Sequence, residues 1–219
     1  MQPSQPTDPA IAARDEAFIG FIRDCEAHLL ASDDPIVVRD LVAARTKELV
    51  SGHGAWTMPD ADFLRLQPGA PYSSYQLYLN EAETLSVVID VFAPGQVAPV
   101  HNHHCWGVFA CIGGCELERQ YAVPADLSRA PEEVRAFRNN PGDVSVADPA
   151  RNAFHQVECV GDVPTASIHI YGANIKKLVR ERWDAAAGKF VSFQSGGDPR
   201  RVQARHYLTP EGLRSTVAA

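Results

Sequence analysis

The sequence predicts an all-β sandwich or barrel preceded by two helices. Before about residue 52, apolar residues recur at helical spacing behind two Asp-Pro start signals. From Tyr72 onward the chain breaks into short apolar or alternating runs separated by turn residues, the pattern of many short strands. With 219 residues, 45% of them hydrophobic, the chain is long enough for one well-buried domain with extensions. Residues 1–219 therefore read as a single domain, with a helical extension over 8–52, a β core over 70–195 and a tail over 196–219.

Each element has its own signal. Asp8 caps a first helix with Pro9 at its first position, and Phe18, Ile22, Cys25 and Leu29 follow at helical spacing. Asp34 and Pro35 repeat the start, Val38, Leu41, Val42, Arg45 and Leu49 share one face, and Gly52 supplies a stop. Both apolar stripes need a partner, so the helices are expected to cover the outside of a sheet. Strands are expected over 75–79, 85–92, 106–112, 116–121, 143–146, 154–159 and 167–171. Between Ala122 and Asn140 a charged stretch with two prolines reads as a long surface excursion, with room for a helical turn. After Tyr171 the chain turns polar and glycine-rich, and its last residues read as a strand or two with a loose tail.

Charge and cysteine usage exclude several classes. The formal charge of −7 includes no basic block to neutralise a phosphate backbone, so no nucleic acid partner is expected. No apolar run is long enough to span a bilayer and no leader pattern opens the chain, so the expectation is a cytoplasmic protein without a membrane partner. Five cysteines cannot pair completely within one chain, and reduced thiols are expected. Cys105, Cys111 and Cys115 crowd together but lack a CxxC pair, which argues against a cysteine-held metal.

His101 and His103 lie two apart in a strand-like setting, where alternate side chains share a face and can meet one metal. Gly95 allows a sharp turn into that segment, and Gly113 and Gly114 close the next one. His28, His53 and His206 read as surface residues, and His104 points away from His103 by the same alternation.

Gly95, His101, His103 and Gly114 at these spacings resemble the first metal motif of the cupins. That resemblance implies a double-stranded β-helix, or jelly-roll, barrel. The glutamate usual after the second histidine is missing, since Gly107 or Val108 stands there. Pro141-Gly142-Asp143 with His155 resembles the second motif, which makes His155 the third implied ligand. Three neutral imidazoles leave the charge of a divalent metal to be offset by an anion such as a thiolate. Spacing does not separate iron from zinc, nickel or manganese.

Ser167, His169 and Tyr171 occupy alternate positions of one strand and so share a face, and three polar inward side chains require a connected network. Together with Gly172-Ala173-Asn174-Ile175 they are similar to the outer network of the cysteine dioxygenase family. Pro99-Val-His101-Asn-His103-His-Cys-Trp106-Gly107 resembles its bacterial branch, which includes 3-mercaptopropionate dioxygenases, with Asn102 where Asp is usual. Glycine at 107 matches that branch, whereas animal members carry a cysteine there that links to the tyrosine. The resemblance runs from about Tyr75 to Phe193. It implies Fe(2+) on His101, His103 and His155, a catalytic set of Tyr171, His169 and Ser167, and Gln76 and Arg180 as substrate-carboxylate residues. Gln76 reads equally as a solvated side chain, and so does Arg180. The expected reaction is oxidation of a small carboxylate-bearing thiol by O2 to a sulfinic acid, with 3-mercaptopropionate first and cysteine or mercaptosuccinate next. A metal-dependent cupin isomerase and a non-catalytic ligand-binding cupin stay open beside it.

Overall fold

The computed structural model describes residues 9–51, 72–148 and 154–195. Helix α1 spans Pro9–Ala31 and α2 spans Pro35–Ser51. The Asp34 carboxylate accepts the N–H of Ile36 at 2.9 Å and of Val37 at 3.4 Å, a cap of the kind that contributes about 1 kcal/mol. Phe18, Phe21, Ile22 and Cys25 of α1 and Val38, Val42 and Leu49 of α2 are buried in one cluster. Leu41 departs from the expected stripe and is 40% exposed. Arg45 Nε lies 2.6 Å from Asp24 Oδ2 and ties the helices together.

Ten strands follow: β1 Tyr72–Leu79, β2 Ser86–Phe92, β3 Gly107–Gly113, β4 Glu116–Ala122, β5 Glu132–Asn139, β6 Val144–Ala147, β7 Phe154–Cys159, β8 Thr165–Tyr171, β9 Arg180–Asp184 and β10 Lys189–Phe193. They form a five-stranded sheet in the order β1-β2-β8-β3-β6, a three-stranded sheet β5-β4-β7 and a hairpin β10-β9, with every pairing antiparallel. This is the β-sandwich with two N-terminal helices that the sequence led us to expect. No described helix is long and apolar enough to cross a membrane.

Alternation on the large sheet decides what each face does. Val87, Ile89 and Val91 of β2 and Ala166, Ile168 and Ile170 of β8 are buried in the cluster shared with the helices. The intervening residues, Ser86, Val88 and Asp90 of β2, lie opposite Tyr171, His169 and Ser167 of β8 on the other face. Helix packing thus occupies the outer face, and the polar residues are left to the interior of the sandwich. Gly114, at φ +70°, closes the β3–β4 turn, and a Cβ there would stand 2.7 Å from the Pro164 carbonyl.

One expectation requires correction. The charged stretch after Ala122 is not wholly a surface excursion, because Glu132–Asn139 is a strand paired with β4 along its length. All but two of its residues are exposed, so its sequence shows no apolar alternation. Beyond Tyr171 the described residues add two strands, at 180–184 and 189–193, and the strand or two expected among the last residues falls outside the described residues. The proposed tail over 196–219, with His206, and His53 lie outside the described residues.

Candidate metal centre

His155 enters the interior from β7, and His101 faces it across an isolated antiparallel bridge. The His101 N–H donates to the His155 carbonyl and the His155 N–H donates back, both at 2.9 Å. His103 completes a triangle of rings with centroids 4.8 to 4.9 Å apart. The two-residue spacing brings His101 and His103 together, but not by strand alternation. Residues 102–106 form no strand, and His104 sits at φ +53°. Asn102 fixes this loop to β9: its Oδ1 accepts the Glu181 N–H at 2.9 Å and its Nδ2 donates to Glu181 Oε2 at 2.7 Å. His104 is turned out of the site, with Nε2 donating to the same carboxylate at 2.5 Å.

The ring nitrogens of the three histidines lie within 4.8 Å of one another, and no other such group of His, Cys, Asp or Glu occurs among the described residues. His101 Nδ1 donates to the Pro99 carbonyl at 2.8 Å and His155 Nδ1 to Glu118 Oε1 at 3.2 Å, which leaves Nε2 of each ring as a donor to metal. His103 Nδ1 is buried without a hydrogen-bond partner. Burial, reinforced by the neighbouring histidines and Arg180, holds His101 and His103 well below the usual imidazole range. Neutral imidazoles grouped in this way can hold a divalent transition metal. The crowded cysteines form no such group. Burial pushes the Cys105 and Cys111 thiols up to about 12, as expected for inert apolar side chains.

Glu118 was not anticipated from the sequence. Burial alone would raise its carboxyl, but bonds from His155, Ser145 at 2.6 Å and Asn139 at 3.1 Å outweigh that and hold it below the usual carboxylate range. A buried carboxylate behind a ligating histidine orients the ring and makes it a stronger donor.

Beside the histidines a cavity of about 210 Å³ is lined by His101, His155, His169, Tyr171, Arg180 and Asp90, among others. This is small against drug-sized pockets and suits a ligand of few atoms. Ser167, His169 and Tyr171 form the connected network the sequence called for. Ser167 Oγ lies 2.8 Å from His169 Nε2, and His169 Nδ1 lies 2.9 Å from the Tyr171 hydroxyl. The Tyr171 ring packs against His103 with centroids 5.2 Å apart.

Arg180 is 4% exposed, so it is no surface arginine. It bonds to Ser195 and to the Asn102 carbonyl, and its guanidinium carbon sits 4.5 Å above the Phe193 ring. Gln76 is buried too, opposite Val88 on β2, but is not among the residues lining the cavity. Tyr72 of the same strand lines it instead, and Ser74 pairs with Asp90. Asp90 was also missed in the sequence. Its Oδ2 is 3.8 Å from His169 Nδ1, and its Oδ1 is buried without a partner.

Gly107 pairs directly with Tyr171, and a Cβ there would come within 3.5 Å of the tyrosine ring and 2.8 Å of Phe109. Glycine lets these rings close on each other and leaves no sulfur at the position. Intact-mass and peptide mass spectrometry should therefore find no thioether to Tyr171. A Tyr171 peptide lighter by two hydrogens and joined to Cys105, which shares its apolar cluster, would overturn this.

A family model described as auxin binding protein matches residues 77–186, half of the chain and most of the sandwich. Among solved structures, oxalate oxidase in complex with the substrate analogue glycolate is similar at 17% identity and a TM-score of 0.40, over 50% of this chain and 55% of its own. The Schizosaccharomyces pombe Cnp3 cupin domain is similar at 14% and 0.41, over 53% of this chain and 73% of its own. A Bacillus subtilis oxalate decarboxylase variant is similar at 22% and 0.35, over 42% of this chain and 22% of its own. The aligned region thus spans about half the length of the oxalate oxidase. With the β-sandwich in place and the family match running from β1 to the β9–β10 hairpin, the chain is a cupin and belongs to the auxin binding protein family.

Proposed function

We propose that this cupin is an iron(II)-dependent thiol dioxygenase that converts a small carboxylate-bearing thiol and O2 to the sulfinic acid. The observation that carries this reading is the shared cavity: an all-histidine cluster opens beside a hydroxyl aimed by His169 and Ser167 and beside a buried arginine. Fe(2+), when bound, supplies the Lewis acidity that deprotonates a thiol and the redox chemistry that adds both oxygen atoms to sulfur. Arg180 offers a guanidinium fork to the substrate carboxylate, held in place by Ser195, Asn102 and Phe193. Tyr171 offers its hydroxyl to the reacting atoms, with the ring held by His103 and Phe109. Preference for 3-mercaptopropionate rests on the resemblance rather than on Gln76. Asp90 offers a partner to an amino group, so cysteine belongs in the same test.

Oxygen uptake and sulfinate yield are measured for 3-mercaptopropionate, cysteine, mercaptosuccinate and cysteamine. The expected result is turnover of carboxylate-bearing thiols, with cysteamine poorest because it offers Arg180 nothing. In Arg180→Gln the KM for the carboxylate thiols should rise about tenfold to a hundredfold, the scale of one charged hydrogen-bonded contact, and cysteamine should be unaffected. No uptake with any thiol on iron-loaded protein would overturn the reading.

A second reading, a metal-holding cupin that binds a small carboxylate without turning it over, is favoured by the description of the matching family as binding proteins. It is supported if carboxylates bind in an Arg180-dependent manner while every thiol fails to consume oxygen.

A further inference from the structure

Asp90 projects from β2 onto the interior face, opposite Ser167 of β8, and lines the cavity beside the histidines. Its side chain is only 13% exposed. Its Oδ1 is buried without a hydrogen-bond partner, and Oδ2 meets His169 Nδ1 at 3.8 Å, too long for a hydrogen bond. A carboxylate withdrawn from water without donors is unfavourable, so this acceptor calls for a donor that arrives with the ligand. We propose that Asp90 sets the specificity of this cavity: it takes the ammonium group of a thiol that carries both an amine and a carboxylate, while Arg180 takes the carboxylate. The inference deepens the reading above and rests on it in placing the ligand in this cavity.

Charge on the cavity wall supports the assignment. Among the described residues that line the cavity, Asp90 is the one carboxylate, set against Arg180 and Arg182. A ligand with a carboxylate and no amine gains from the arginine and loses to the aspartate, because like charges inside about 210 Å³ cannot avoid each other. A zwitterionic thiol turns the same aspartate from a penalty into a contact, so one side chain both admits the amine and discriminates against its absence. The strand keeps the carboxylate aimed. Val88 and Phe92 share its face and are buried on either side of it, while Ile89 and Val91 anchor β2 in the cluster shared with the helices. The broad χ2 of aspartate lets either oxygen turn to the ligand.

This pairing has a consequence for the metal centre. An aliphatic amine is a cation at neutral pH, and a carboxylate partner favours that form. An ammonium group has no lone pair, so an amine held by Asp90 is not a metal ligand. Of the three polar groups on the thiol, with the carboxylate on Arg180, sulfur alone is left for a metal on His101, His103 and His155. Recognition of the amine is then a property of the cavity wall and does not depend on a metal being bound.

Ligand-detected NMR titrations without oxygen, on the full chain metal-free and zinc-loaded, compare three thiols. They are cysteine, 3-mercaptopropionate, which is cysteine without its amine, and cysteamine, which is cysteine without its carboxylate. Cysteine should bind about tenfold to a hundredfold more tightly than 3-mercaptopropionate, the scale of one charged hydrogen-bonded contact, and by the same factor with and without zinc. Asp90→Asn, which keeps the size of the side chain and removes its charge, should weaken cysteine and cysteamine by that factor and leave 3-mercaptopropionate no weaker. An advantage for cysteine seen only with zinc would place the amine on the metal. Equal binding of cysteine and 3-mercaptopropionate to the metal-free chain would leave the amine without a partner, and equal weakening of all three in Asp90→Asn would mean that the residue acts through His169 or the fold. Each of these results would overturn the proposal. No measurement consumes oxygen, so failure here is separable from failure of the dioxygenase reading.

Discussion

On the proposed iron(II) reading, iron content should fall from about one per chain to near none when His155 is replaced by alanine, since three histidine nitrogens are the donor set found among the described residues and two do not hold a labile divalent ion. The variant also removes the partner of Glu118, whose carboxylate keeps Ser145 and Asn139. Some loss of stability is therefore expected as well, and the thermal melt is recorded beside the metal analysis. His104→Ala is the control. His104 neighbours the ligands in sequence but bonds outward to Glu181, so its loss should leave the iron in place. Full iron in His155→Ala would remove that residue from the centre.

Tyr171→Phe should lower turnover by roughly tenfold to a thousandfold with iron content unchanged, the range expected for one positioned donor. The substitution keeps the ring that packs on His103 and Phe109 and deletes only the oxygen that meets His169 Nδ1. His169→Gln should cost less, because the tyrosine is left misdirected rather than absent, and Ser167→Ala less again. The readings are kcat for thiol-dependent oxygen uptake, sulfinate yield and iron per chain. Full activity in Tyr171→Phe would mean that the three side chains only satisfy one another inside the sandwich.

Local signals carried much of this architecture. The Asp34-Pro35 helix start, the strand runs and the grouping of Ser167, His169 and Tyr171 on one face depend on neighbouring residues, and each is seen in the fold. What was not legible depends on pairing between distant strands. Gln76 shares a face with Tyr72 and Ser74, but only the β1–β2 register, with its irregularity between Gln76 and Tyr78, decides which of them reaches the cavity. Asp90 is a lone charge in an apolar run, and the same alternation that turns Ile89 and Val91 to the helices turns it inward. Glu116 and Glu118 gave a comparable hint, two carboxylates two apart in a strand. Their partners Thr165 and His155 lie dozens of residues away and could not be read from it. Strand β5 was missed because solvated charges on both faces carry no periodicity.

Those same charges have a consequence for how molecules of this protein meet. β5 is the outermost strand of the three-stranded sheet among the described residues, and its outer side, unpaired among those residues, presents backbone donors and acceptors to any extended chain that approaches. Glu132, Glu133, Arg135 and Arg138 line that border, and all of them are exposed, so a strand from another molecule could add there only by crowding these ionised groups together and stripping their water. Val134 is the one large apolar side chain exposed among them. The stretch that hid the strand from sequence reading is thus also what discourages the sheet from growing into an aggregate.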